Sequence, residues 1–177
     1  SYSQTVLRVS LHPHVQAFEP HIEQGPVLES ENLSVGIVDT IVGIRTKKLI
    51  LTGRPDHGGT TPMHLRLDAV VAAMKIVRLV DEMARELNDG TVTTCGSLHV
   101  EPGAPNVVPG KVEMSVECRS PHQASIDTIF DVVEKLLAQF REQYDAFYTP
   151  AELEPGRWPV VMGSAELLST FLQQFVG

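Results

Sequence analysis

The most regular pattern in the chain lies at residues 111–119, Lys-Val-Glu-Met-Ser-Val-Glu-Cys-Arg, where polar and apolar residues alternate without interruption. Val112, Met114, Val116 and Cys118 share one face and the polar side chains the other, as in a half-buried strand. Thr91 to Glu101 alternates less strictly, with Val92, Leu98 and Val100 expected on one side and Thr93, Ser97, His99 and Glu101 opposite. Two more strands are expected from the Ile-, Val- and Leu-rich stretches Val35 to Ile44 and Lys48 to Thr52, parted by a short turn. Such alternation suits an antiparallel sheet with one covered face.

Helical spacing supplies the cover. From Pro62 to Leu87 the residues Leu67, Val70, Met74, Val77, Val80, Ala84 and Leu87 recur every three or four positions. Thr61-Pro62 reads as the start of this helix and Asn88-Asp89-Gly90 as its end. A second helix is expected from about Pro121 to Gln143, with Ile126, Ile129, Phe130, Val133, Leu137 and Phe140 on one stripe and a capping box between Ser120 and Gln123. The order β-β-α-β-β-α predicts an α+β fold, an open-faced sandwich of a four-stranded antiparallel sheet with two helices on one face. Residues 144–177 add a Pro/Gly-rich connection, Pro150 to Gly163, and an amphipathic tail around Leu167, Leu168, Phe171, Leu172 and Phe175.

Composition narrows the function classes. With 42% hydrophobic and 20% charged residues in 177, the chain is neither disordered, collagenous nor a coiled coil. Fourteen Lys and Arg against 22 Asp and Glu leave a net charge of −8, which argues against nucleic acid and against an anionic membrane surface as partners. No apolar run approaches the roughly 20 residues of a membrane span, and Ser1 to Ser10 lacks the layout of a signal peptide, so a cytoplasmic location is expected. Cys95 and Cys118 fall in strand-like segments and are expected to be reduced and structural.

Several segments could carry chemistry. His21-Ile22-Glu23-Gln24-Gly25-Pro26 ends in a forced turn and fixes a histidine at the rim of a sheet, a common place for a metal ligand, although most lone histidines are neither ligands nor catalysts. Arg54 to Met63 contains His57-Gly58-Gly59, where glycines let the backbone approach a ligand and the turn is expected to bring a helix N-terminus beside His57. An imidazole there could donate to a developing oxyanion; the alternative is a solvated histidine in a capping turn. Asn106 is the amide side chain of a stiff loop, Pro102 to Gly110, and Arg119 ends a strand on its polar face. A guanidinium in that place suits bidentate capture of a carboxylate, or else a surface ion pair with Glu117 or Glu113. His12 and His14 form a His-x-His pair fit at most for adventitious metal binding, His64 and His122 read as capping or solvated residues, and Asp68 reads as part of a solvated helix face. No phosphate-binding loop, dinucleotide-binding glycine pattern or nucleophile elbow occurs.

Together, His21 to Pro26, His57 to Met63 with Arg66 and Asp68-Ala69, Asn106 to Gly110, and Arg119 resemble the branch of the di-metal amidohydrolase and aminopeptidase superfamily that contains N-carbamoyl-L-amino acid hydrolases, β-ureidopropionases and allantoate amidohydrolases. The resemblance runs over roughly residues 15–145. It implies a ferredoxin-like lid and dimerisation domain at 35–148, a catalytic-domain flank at 1–34 carrying the His21 motif, and a return segment at 149–177. It implies that His21 is a metal ligand, that Gln24 shapes the same pocket, and that His57 reaches a partner subunit's site to polarise the scissile carbonyl. Asn106 and Arg119 would hold the substrate, Arg119 by its carboxylate. The parent would be a homodimer using divalent zinc, manganese or cobalt to hydrolyse an N-carbamoyl-L-amino acid or related small ureido acid. Thr46 stands where allantoate-processing members tend to carry Arg, and Pro20 where an aliphatic residue is expected. A His, a bridging Asp and a Glu-Glu pair expected upstream, and a His expected downstream, have no counterpart in the chain, so the fragment alone is expected to be inactive and to hold no stoichiometric metal. The competing readings are an interaction module without catalysis, and the lid of an aminopeptidase or deacylase.

Overall fold

The computed structural model describes the backbone of residues 5–12 and 15–148 and the side chains of residues 19–148. The expected return segment, its amphipathic tail and His14 lie outside the described residues. Strands β1 (Thr5–His12) and β2 (Val15–Ile22) form an antiparallel hairpin in which Val6 stands opposite His21. A one-turn helix, α1 (Val27–Ser30), leads to the short strand β3 (Val35–Ile37), which pairs with β1 in parallel. Gly36 on β3 has no side chain because Leu28 of α1 lies against it, and a Cβ there would stand 2.9 Å from a Leu28 methyl.

The second sheet carries the rest. Strand β4 (Gly43–Thr52) is followed by helix α2 (Ala69–Leu87), strands β5 (Val92–Glu101) and β6 (Lys111–Ser120), and helix α3 (Gln123–Tyr148). The strand order is β4-β6-β5, antiparallel throughout, with β6 in the middle. The faultless alternation at 111–119 therefore marks the central strand. Val112, Met114, Val116 and Cys118 are all at most 2% exposed and pack against Ala73, Ile76 and Val80 of α2 and Ile126, Ile129, Phe130 and Val133 of α3. Burying each large aliphatic or aromatic side chain is worth about 1.5–3 kcal/mol, so this layer holds most of the unit's stability. The opposite face of β6 presents Lys111, Glu113, Ser115, Glu117 and Arg119.

Edge strand β4 puts Arg45 and Lys47 on the covered side, opposite Cys118 and Val116. Their charged ends lie over the Phe130 ring, 5.4 and 5.5 Å from its centroid, and pair with Asp127 and Glu134 of α3. Cations on the inner side of an edge resist pairing with a foreign strand.

The structure corrects several sequence expectations. The α+β class holds, but the sheet under the helices has three strands among the described residues. Val35 to Ile44 is not one strand: three of its residues join β1, and Gly43 to Thr52 is a single strand without the expected turn. Composition identified extended segments, but partner choice depends on contacts distant in sequence. Helix α2 begins at Ala69 rather than Pro62, after a 3₁₀ turn at Met63–Leu65, because the Asp68 carboxylate caps it by accepting from Val70 N (2.8 Å) and Val71 N (3.2 Å). Its end is as expected, at Asn88 in the left-handed conformation. Helix α3 starts at Gln123 and runs to Tyr148, and the Ser120 hydroxyl accepts from His122 N (3.0 Å) while Gln123 turns to Asp127 instead of closing a capping box. Finally, a bulge between Thr94 and Ser97 inserts one residue into β5 and exchanges its faces. Val92 thus lies opposite Arg119 and is 55% exposed, while Thr93 turns inward to donate to Val80 O (3.1 Å).

Candidate functional site

His57 sits in a loop tied to its neighbour by backbone hydrogen bonds. Gly58 N donates to Asn106 O (2.7 Å), Val108 N to Asp56 O (2.8 Å), and His57 and Val107 form an isolated antiparallel bridge. The His57 and Asn106 loops are therefore zipped together, although 49 residues apart in sequence. A Cβ at position 58 would stand 3.0 Å from Asn106 O, so a side chain there must push the Asn106 loop back. Both side chains are exposed at this rim of the sheet.

The ring of His57 is oriented by its own loop. Its Nδ1 accepts from Gly59 N (3.0 Å) and Thr60 N (3.2 Å). A nitrogen that accepts carries no proton, so the neutral ring holds its hydrogen on Nε2. His57 therefore offers the outside a hydrogen-bond donor, and this arrangement suits stabilising an oxygen rather than abstracting a proton. Helix α2 starts at Ala69 behind the Asp68 cap, and Ala69 N donates to Pro109 O (3.0 Å), next to the Val108 amide that bonds Asp56 O.

His21, at the end of β2, is set the opposite way. Its Nδ1 lies 2.7 Å from the carbonyl oxygen of Ile22, which can only accept, so Nδ1 carries the proton and Nε2 keeps its lone pair. This is the tautomer a metal ligand needs, with the other ring nitrogen bonded to a carbonyl. Yet no group of three His, Cys, Asp or Glu that could hold a metal occurs among the described residues. The described residues do not make up a complete metal centre. Neighbouring Glu23 caps α1 through Val27 N (2.9 Å) and Leu28 N (3.1 Å), and Gln24 is exposed.

Arg119 belongs elsewhere. It lies at the far end of β6 from the Asn106 loop: Lys111 to Arg119 is eight steps of about 3.3 Å, or about 26 Å. Asn106 and Arg119 thus lie toward opposite ends of β6. Arg119 stands on the open face between Ile44 of β4 and Val92 of β5 and donates through Nε to Glu117 (2.6 Å). That bond, and a second from Thr46 Oγ1 (3.1 Å), hold the Glu117 carboxyl below its ordinary range. Thr46, Glu117 and Arg119 thus form one polar string on this face.

Beneath Arg119 runs a polar cluster that the sequence pattern did not disclose. Asp89 accepts from the Ser125 hydroxyl (2.6 Å), the Thr91 hydroxyl (2.5 Å) and Thr91 N (3.1 Å), which pull its carboxyl down to about 2. The Thr91 and Ser120 hydroxyls are 2.8 Å apart, with Ser120 1% exposed. The cluster ties the end of α2, the start of β5, the end of β6 and the start of α3. An Asp followed two residues on by Thr, just after a helix C-cap, was the available signal. His64 in the 3₁₀ turn and His122 before α3 are exposed. Cys118 is buried and Cys95 half-buried, both free, and burial raises both thiols.

Comparison with known proteins gives a consistent picture. The model of the peptidase dimerisation domain matches residues 40–145. The N-carbamoyl-L-amino-acid amidohydrolase of Paenarthrobacter aurescens is 42% identical over 158 residues, covering 85% of this chain and 38% of that enzyme. The allantoate amidohydrolase of Escherichia coli is 38% identical over 132 residues, covering 74% and 32%. Among solved structures, an amidase of the hydantoinase/carbamoylase family from Burkholderia phymatum superimposes with a TM-score of 0.63 at 35% identity, over 70% of this chain and 31% of that one. The chain thus spans about a third of the length of the relatives it matches.

Proposed function

This chain belongs to the peptidase dimerisation-domain family, and we propose that it is the lid and dimerisation part of an amidohydrolase that cleaves a small ureido acid, an N-carbamoyl-L-amino acid in the first instance. The observation that carries the reading is the division of labour along β6. One end presents His57 with an outward N–H beside Asn106, and the other presents Arg119 about 26 Å away. A ureido acid has a carbonyl that becomes an oxyanion during hydrolysis and a carboxylate that does not react. His57 and Asn106 supply donors for the first, and Arg119 supplies a bidentate donor for the second. Because one chain cannot bring both ends to one small molecule, each site takes His57 and Asn106 from one copy and Arg119 from the other. Dimerisation is then a catalytic requirement.

Thr46 supports the choice of substrate. It lies two residues from Arg119's strand partner Ile44 and shares Glu117 with Arg119, so position 46 can tune what approaches the guanidinium. The short Thr side chain leaves the carboxylate as the group to be recognised there. We place the nucleophile and any metal on residues outside those described, with His21 and Gln24 at the margin of that site. This chain's own part is to orient the substrate and to donate to its developing oxyanion.

Kinetics of the enzyme containing this chain test the reading. Replacing Arg119 by Ala should raise KM for an N-carbamoyl-L-amino acid with a smaller effect on kcat. Replacing His57 by Ala should lower kcat by about 10² to 10³, the usual cost of one oxyanion donor. Unchanged KM in the first variant, or equal turnover in the second, would refute the assignment. Preference for peptides over carbamoyl substrates would favour an aminopeptidase, and no turnover of either would leave an interaction module.

A further inference from the structure

Arg66 has no assigned task, yet it makes the most directed contacts in the His57 loop. Its Nη2 donates to Gly58 O (2.6 Å) and its Nε to Thr61 O (2.9 Å). The two carbonyls bracket the residues whose amides, Gly59 and Thr60, donate to His57 Nδ1. Thr61 N closes the turn by donating to His57 O (3.2 Å). A single planar guanidinium thus grips both ends of the turn that fixes the imidazole.

We infer that Arg66 is a positioning residue: its fork on Gly58 O and Thr61 O holds the amides of Gly59 and Thr60 against His57 Nδ1, and so keeps the reactive Nε2–H facing outward. The physical case has three parts. Glycines at 58 and 59 give this segment the largest backbone freedom, so an external grip is needed to hold one conformation. The bond to Gly58 O polarises the Gly58–Gly59 peptide group and so strengthens the Gly59 N–H that donates to His57, while the bond to Thr61 O anchors the far end of the turn. Lysine could not replace it, since a single ammonium lacks the parallel pair of donors that spans two fixed carbonyls. Arg66 is only half-buried and lies outside the hydrophobic core cluster, so its contribution is local to the loop.

The inference rests on His57 being the carbonyl-directed donor, but its primary test needs no substrate. Ring-nitrogen NMR on the ¹⁵N-histidine-labelled chain reads the tautomer of His57 directly. The native chain should show Nδ1 unprotonated and hydrogen-bonded. Arg66→Lys and Arg66→Met should show a mixed or averaged tautomer while keeping the native circular dichroism spectrum. In the enzyme containing the chain, both variants should lose about tenfold or more in kcat with little change in KM, since a misplacement near 1 Å at a catalytic group can cost 10². A native tautomer with the proton on Nδ1 would overturn the inference, as would variants with an unaltered tautomer. Global unfolding of both variants would also overturn it, because Arg66 would then determine the fold rather than the loop. A shifted tautomer with unchanged kcat would uphold the positioning role and refute the catalytic reading of His57.

Discussion

Gly53 closes β4 where three backbones cross, and Gly53→Ala is the sharpest test of the packing there. A Cβ built at Gly53 would stand 2.1 Å from Leu67 O and 3.0 Å from Ala69 N, both backbone atoms that cannot swing aside. The 67–69 segment would have to retreat by roughly 1.5 Å to restore ordinary contact. That retreat strains two hydrogen bonds, Arg54 N to Leu67 O (2.8 Å) and Ala69 N to Pro109 O (3.0 Å). Each is worth about 1 kcal/mol, and overpacking adds about 1–3 kcal/mol, so the loss should be about 3–5 kcal/mol. Gly96→Ala is the matched control: its Cβ would meet only the Thr94 methyl at 3.8 Å, and a change within about 1 kcal/mol is expected. Urea unfolding followed by circular dichroism measures both. A Gly53→Ala midpoint equal to that of Gly96→Ala would refute the crossing geometry that joins the His57 loop to the sheet.

Other consequences follow from the same contacts. Ile129→Ala, at a side chain with no exposed surface beneath β6, should cost about 2–5 kcal/mol by urea titration, and a loss below 1 kcal/mol would mean the helix layer is not the core. The Asp89 carboxyl is held near 2, below its unfolded value near 4, so its stabilisation is complete above about pH 4 and is lost as pH falls toward about 2. Asp89→Asn should therefore lower the urea midpoint at neutral pH and flatten its decline between pH 4 and 2, and parallel acid profiles would contradict the network. Gly58→Ala should weaken the tie to Asn106 and lower kcat in the enzyme that contains the chain, with little change in global stability.

The sequence made some of this legible for physical reasons. Strand β6 was unambiguous because the central strand is buried on one face only, and strict alternation records that directly. The stripes of α2 and α3 recorded their cover of the same face. What failed were features set by partners far along the chain. The bulge at Thr94 to Ser97 reversed Val92 and Thr93, β3 paired with β1, and Asp68 took the cap from Thr61. The candidate residues His57, Asn106 and Arg119 were visible by type and motif, but their positions in the fold were not. Only the cross-loop bridge and the length of β6 separated Asn106 from Arg119. Arg66 was seen as part of a motif without a role, since a side chain that binds two carbonyls leaves no periodic trace.

The central claim is that each site is shared between two copies, and subunit mixing tests it most directly. Assayed with substrate well below KM, the His57→Ala and Arg119→Ala forms of the enzyme should each show only a small fraction of native activity as homodimers. After unfolding and refolding together, half of the dimers are hybrids with one intact site each, and activity should return to about a quarter of the native value. A mixture that stays as inactive as its components would contradict the shared site and place His57 and Arg119 in separate roles.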